Sequence, residues 1–377
     1  MKQEVRQEVR PVPLSGPYLD EREEELVLEV LRSGRLSLGP TIDRFEEAFA
    51  AKVGAPYAAA VSSGTAGLHL LCVSAVIGPG DEVITTPYSF AATANCFIYE
   101  GGVPVFADVD ALTLNLDPAA VEAAVTPRTK AIMAVDIYGY PCELDELRTI
   151  AERHGLTLIQ DSCEALGAEY KGAPIGSHGP SAVFAFYPNK QITTGEGGMV
   201  TTHSEQEWRL LRSLRNQGRG DSGGWLEHVR LGFNYRIDDV RAALGLGQLE
   251  KLDDILALRS SVAQRYAELL ANIDGVELPC PDDGQHRRSW FVYVVKLADK
   301  ETRERVIARF ERESIGYNRY LPSIHLQPYM RERYGFREGM CPVSEDASSR
   351  TLALPFFTAL ERDAQERVAE VLADALP

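Results

Sequence analysis

The sequence has no C-x-x-C pair among its six cysteines, no H-x-x-x-H spacing among its seven histidines and no G-K-[ST] tripeptide. The first absence argues against a zinc ribbon, a redox dithiol or a disulfide framework. The second argues against a histidine metal site. The third excludes a Walker A nucleotide loop. Long hydrophobic runs are also missing: LHLLCVSAVIG, at 68–78, is far too short to span a bilayer. The opening stretch MKQEVRQEVRPVP lacks the apolar core of a secretory signal, so a soluble, cytoplasmic protein that engages no membrane is expected. Positive charge is scarce, with a formal net charge of −16, which disfavours nucleic acid as a partner. An anionic ligand would therefore need a local basic patch. One is present, since the segment 209–241 carries Arg209, Arg212, Arg215, Arg219, Arg230, Arg236 and Arg241. A solvated helix face followed by a loop would account for most of these.

A chain of 377 residues suits one large domain with a smaller one attached. Through the first two-thirds, short β-branched or apolar runs alternate with helical patterns. YAAAV leads through SSGTAG into an apolar helix; EVIT, VPVFADV, AIMAVD and LTLIQD read as further strands with helices between them. This rhythm predicts a mainly parallel sheet covered by helices on both faces. SAVFAFY and GGMVTT are two more strands, separated by a loop that holds Lys190. A continuous helical region is expected from about Asp238 to Leu270. Beyond it, WFVYVVKL and TLALPFF read as strands and 302–313 and 362–376 as helices. The expected organisation is a large α/β domain over 1–250, with 1–12 a mobile arm, and a small α+β domain over 251–377.

Ligands of open α/β sheets bind beyond the carboxyl ends of the strands, and three groups fall there. In SSGTAG, small residues at a helix start would admit a phosphate to free backbone N–H groups; a simple Ser/Thr helix cap explains the same stretch. In LIQDSCEALGA, Asp161 closes an apolar strand with Glu164 three residues on, either as a turn-former or as a held carboxylate. In FAFYPNKQITTGEGGMVTT, Lys190 stands alone between aromatics and glycines. A lysine in a partly desolvated pocket can form a Schiff base with an aldehyde, although a loop lysine needs no such role. Together the three groups point to pyridoxal 5'-phosphate, which needs an amine for its aldehyde, a carboxylate for its ring nitrogen and an anion cradle for its phosphate.

Over nearly its whole length the chain resembles the DegT/DnrJ/EryC1/StrS family of pyridoxal-phosphate-dependent sugar aminotransferases. The resemblance is carried by SSGTAGLHL, TPYSFAATAN, DSCEALGAEYKG, FAFYPNKQITTGEGGMV, GFNYRIDDVRAALGLGQL and LPSIHLQPY. It implies an aspartate aminotransferase-like fold of type I. It also implies that Lys190 holds the cofactor and shuttles protons, that Asp161 pairs with the ring nitrogen, that Glu164 contacts the ring's phenolic oxygen and that Phe90 stacks on the ring. Gly64, Thr65 and Ala66 would hold the phosphate, and Asn234 would reach the phosphate of the neighbouring subunit, with Arg236 close by. Such a site is shared across a homodimer. One position departs from the family: the serine often found five residues before the lysine is Ala185 here. Relatives that act as sugar dehydratases replace the lysine with histidine, so the retained Lys190 favours transamination.

The implied reaction moves an amino group from an amino acid, L-glutamate by resemblance, to a nucleotide-linked 4-keto-6-deoxy sugar. Arg236, Arg219 or Arg230 would meet the diphosphate, and Tyr320 and His325 would line the sugar site. A structural hydrogen bond in a turn is the other reading of His325. Two further functions fit the same residues: an aminotransferase for a keto-cyclitol, and a regulator that binds the cofactor without turnover.

Overall fold

The computed structural model describes residues 10–220, 224 and 226–377. In chain order its strands are β1 (Tyr57–Val61), β2 (Glu82–Thr85), β3 (Val103–Phe106), β4 (Thr129–Val135) and β5 (Thr157–Asp161). Then come the short β6 (Glu169–Tyr170) and β7 (Ala173–Pro174), followed by β8 (Ser181–Ala185) and β9 (Gly198–Thr202). The last third adds β10 (Val276–Glu277), β11 (His286–Arg287), β12 (Tyr293–Leu297) and β13 (Thr351–Leu354).

Seven of these form the central sheet, in the order β1-β9-β8-β5-β4-β2-β3. From β8 to β3 every neighbouring pair is parallel, whereas β9 runs antiparallel to both β1 and β8. The sheet is therefore mainly parallel, as the alternating pattern predicts, and β9 is its one reversed strand. That reversal has a consequence for the loop 186–197: it joins two adjacent strands directly, with no crossover helix. The carboxyl ends of β1, β5 and β8 consequently open on one edge.

Alternate residues of β8 explain how the sheet is buried on both faces. Phe184 points into a cluster with Phe45, Phe49 and Phe186, while Val183 points the opposite way, towards Leu68, Leu71, Phe97 and Val200. The Phe49 and Phe184 rings meet edge-on at 5.2 Å, the geometry their quadrupoles favour.

A third core lies under the antiparallel sheet β10-β12-β13 and the helices Lys300–Arg312 and Arg362–Ala375. The helical region expected from Asp238 to Leu270 is two helices, Asp239–Glu250 and Leu252–Leu270, separated at Lys251. The break has an electrostatic tether: the Lys251 ammonium lies 2.8 Å from Asp20 and 2.7 Å from Glu23, at the capped start of helix Glu21–Ser33. Residues 1–9 of the expected arm lie outside the described residues. Its last residue, Val12, is tied to the third core. Val12 is buried in the third core, donates its N–H to Ser314 O at 3.0 Å and accepts from Gly316 N at 2.8 Å. Among the described residues no helix is long and apolar enough to cross a membrane.

Candidate active site

Gly64, Thr65 and Ala66 form the first turn of helix Gly64–Ser74, directly after β1. Ser63 caps it by accepting from Ala66 N at 3.1 Å, and the remaining first-turn N–H groups are the ones a helix cannot pair internally. A Cβ on Gly64 would stand 2.8 Å from Cys163 Sγ and 2.9 Å from Ala185 Cβ. Only glycine lets the helix begin this close to the ends of β5 and β8. Ala185 therefore lies at the cradle itself. Gly198 links the pieces, pairing across β9 with both Val61 and Ala185. A Cβ there would fall 2.8 Å from the Ser63 carbonyl carbon.

Asp161 is buried at the carboxyl end of β5. Thr93 Oγ1 donates to its Oδ2 at 2.7 Å, and the Cys163 N–H reaches its Oδ1 at 3.2 Å. Ser89 Oγ lies 2.7 Å from Thr93 Oγ1, extending the polar chain by one hydroxyl. Asp161 is thus both a held carboxylate, through Thr93, and a turn-former, through the Cys163 N–H two residues on.

Lys190 extends from the β8–β9 loop, where its N–H bonds Tyr187 O at 2.9 Å. Its Nζ sits 3.4 Å from Glu164 Oε1 and 3.8 Å from the centroid of the Phe291 ring, an aromatic wall that favours a cation. Glu164 Oε2 accepts the Tyr138 N–H at 2.9 Å. Burial raises the Glu164 carboxyl above its ordinary range, Lys190 and the Tyr138 N–H partly offset this, and the Asp161 charge adds to it. Gln191 Nε2 ties the loop down, donating to Glu164 O at 2.6 Å and to Ser289 Oγ at 2.8 Å.

Tyr320 belongs to the same group. Its ring centroid lies 6.3 Å from those of Tyr138 and Phe291, and burial, with the Glu164 charge next, pushes its hydroxyl up to about 12. His325 does not. It is fully buried, with Nε2 3.0 Å from Glu345 Oε1, and that carboxylate also accepts N–H groups from Gly339 and Cys341. The turn reading of His325 is the one the structure supports, because a side chain enclosed in this way presents no surface to a sugar.

Phe90 stands 69% exposed just before helix Ala92–Ile98. Asn234 is exposed too, on a bridge with Asn216, whose Oδ1 accepts from Arg236 Nη1 at 3.0 Å. Burial lowers the Arg236 guanidinium below its ordinary range, and the like charges of Arg219 and Arg215 lower it further. Arg219 is bridged to His228, and Arg230 is exposed, with its carbonyl packed over Gly218.

Sequence reasoning missed Thr93, Ser89, Tyr138, Gln191 and Phe291. Ser89 and Thr93 carry a usable signal, two hydroxyls four residues apart in an otherwise apolar stretch. Phe291 has none, because it arrives from the other end of the chain.

An amine, a clamped buried carboxylate and a glycine-lined helix start converge on one sheet edge, and this donor set fits pyridoxal phosphate. Fold and site define a pyridoxal-phosphate-dependent aminotransferase of fold type I, the aspartate aminotransferase type. The model of the DegT/DnrJ/EryC1/StrS aminotransferase family matches residues 17–373, and the chain belongs to that family. It is 40% identical to the spore coat polysaccharide biosynthesis protein SpsC of Bacillus subtilis, over 96% of each chain. Among solved structures it resembles DesV of S. venezuelae, at 33% identity and a TM-score of 0.89, covering 96% of this chain and 98% of that one. It also resembles the PLP form of Spr1654 of Streptococcus pneumoniae, at 26% identity and a TM-score of 0.93, covering 97% and 98%. The protein is an aminotransferase that uses pyridoxal phosphate.

Proposed function

We propose that the protein transfers an amino group from L-glutamate to a nucleotide-linked 4-keto-6-deoxy sugar, in the biosynthesis of an amino sugar. The observation that carries the nucleotide is the arginine group. Arg236 is partly desolvated and repelled chiefly by Arg219, Arg215 being paired with Glu46, and a diphosphate would relieve the Arg236–Arg219 repulsion. Arg230 extends the positive surface. The polysaccharide role printed for SpsC supports the amino-sugar product.

Bound pyridoxal phosphate supplies an aldehyde that takes up the amine and a ring that withdraws electrons from the carbon losing its proton. Lys190 would hold it through Nζ and, once displaced by the donor's amine, take up and return the proton at the substrate carbon. Asp161, fixed by Thr93 and the Cys163 N–H, would keep the ring nitrogen protonated. Glu164 would face the phenolic oxygen, Phe90 would cover the ring, and Gly64, Thr65 and Ala66 would hold the phosphate. Thr65 would supply the hydroxyl that Ala185 lacks. Asn234 would complete the phosphate site of a second copy, making the working unit a homodimer, and Tyr320 would border the sugar.

The test is a visible spectrum with pyridoxal phosphate, before and after L-glutamate. A band that is lost on adding L-glutamate, and absent in Lys190→Ala, supports the reading. Turnover of nucleotide-linked keto sugars but not of free keto-cyclitols supports the substrate class. Turnover of free keto-cyclitols alone replaces it, and a band that no amino donor discharges leaves a non-catalytic binder.

A further inference from the structure

Arg259, in the middle of helix Leu252–Leu270, is only 2% exposed, yet its partners are neutral. Its Nη1 donates to Trp290 O at 3.2 Å and Phe291 O at 3.1 Å, and its Nη2 to Asn189 O at 3.4 Å and Lys190 O at 2.8 Å. The ring of Phe356 lies 5.7 Å from the guanidinium carbon. Burial pushes the guanidinium down to about 10, which still leaves it charged at neutral pH. A cation without a counter-ion is an expensive thing to bury. Carbonyl dipoles from two separate segments take the place of a carboxylate, and a planar fork with two donor arms is the side chain that spans both.

Both segments touch the reacting amine. One is the backbone of Lys190 itself. The other is Phe291, whose ring centroid lies 3.8 Å from Lys190 Nζ. We infer that Arg259 is a positioning residue for Lys190, fastening the root of the lysine and the aromatic wall its amine rests against into one rigid unit. The inference rests on Lys190 being the cofactor's anchor, the reading proposed above.

Hydrogen exchange followed by mass spectrometry on the cofactor-free protein tests it, in Arg259→Met, Arg259→Lys and Phe291→Leu. With Arg259→Met, exchange across 186–194 should rise at least about tenfold, the smallest effect expected from losing one charge-assisted hydrogen bond, while β4 and β5 exchange as in the wild type. Arg259→Lys, one ammonium that cannot span both segments, should fall between them. Phe291→Leu keeps its carbonyl and should leave exchange unchanged. In the loaded enzyme, Arg259→Met should lower kcat about tenfold with KM retained, by displacing an amine from its reacting position. Wild-type exchange at 186–194 in the Arg259 variants, or a rise spread evenly over the whole protein, overturns the inference. Should Arg259→Met fail to fold, Arg259→Lys decides by the same criterion. If Lys190→Ala kept the cofactor's visible band, the proposed function would fall instead, and the exchange result would stand apart from it.

Discussion

Thr93 offers the sharpest quantitative test of the site. It is fully buried, and its hydroxyl lies 2.7 Å from both Asp161 Oδ2 and Ser89 Oγ. A hydroxyl has one proton, and an ionised Asp161 can only accept, so Thr93 donates to Asp161. Ser89 must then donate to Thr93. Two hydroxyls in series thus aim one dipole at the carboxylate. Thr93→Val keeps the shape and removes the donor, leaving Asp161 with the longer Cys163 N–H bond at 3.2 Å. A hydrogen bond to a buried charged group contributes about 1.5–3 kcal/mol. Cofactor-free Thr93→Val should therefore lose roughly 2 kcal/mol in denaturant unfolding followed by circular dichroism. Thr93→Ser retains the donor and should lose only the roughly 1 kcal/mol that a buried methyl contributes.

The same substitution releases the carboxylate's orientation, so the dissociation constant for pyridoxal phosphate should rise about tenfold, at 1.4 kcal/mol per decade. If Thr93→Val matched the wild type in both stability and affinity, Asp161 would be oriented by something other than Thr93. The directed hydroxyl chain would then be wrong.

Other substitutions probe different parts of the structure. Gly64→Ala places a methyl 2.8 Å from Cys163 Sγ and 2.9 Å from Ala185 Cβ. Overpacking of this kind costs about 1–3 kcal/mol, so affinity for pyridoxal phosphate should fall about tenfold or more while that for phosphate-free pyridoxal holds; equal losses would remove the phosphate from this helix start. His325→Ala should cost about 1–3 kcal/mol of stability by removing a fully buried ring and its hydrogen bond to Glu345 and should not alter KM for the keto sugar; a raised KM at unchanged stability would restore a substrate role. Asp136, which accepts from Cys142 N, Gln160 Nε2 and Ser162 Oγ, is pushed by burial up to about 6. Its folded value lies above its unfolded one, so its contribution is present below about pH 4 and lost as pH rises through about 6, a difference of roughly 3 kcal/mol. The stability of Asp136→Asn relative to the wild type should therefore climb by about that much between pH 4 and pH 7; a difference that stays flat across this window contradicts the buried-charge account.

How far the sequence could be read depends on how local each cause is. The helix start at Gly64, the carboxylate at Asp161 and the lysine loop are each written within a dozen residues, next to a strand whose pattern is plain, so the edge where they meet could be foreseen. The Lys251 break could not. Helical periodicity runs unbroken through it, and the carboxylates that tether Lys251 lie more than 200 residues earlier. His325 was open to misreading for a similar reason, since a histidine among apolar and turn residues looks the same whether it faces a sugar or a buried glutamate. The largest gap concerns Lys190. Its residue type, its loop and its nearest carboxylate were all legible, yet the ring beneath its amine and the guanidinium behind its carbonyl come from the last third of the chain. A lysine that can form a Schiff base is specified locally. Where its amine is held is decided by the helix Leu252–Leu270 packing Arg259 between two loops that share no motif, and it is this packing that makes a reactive residue a placed one.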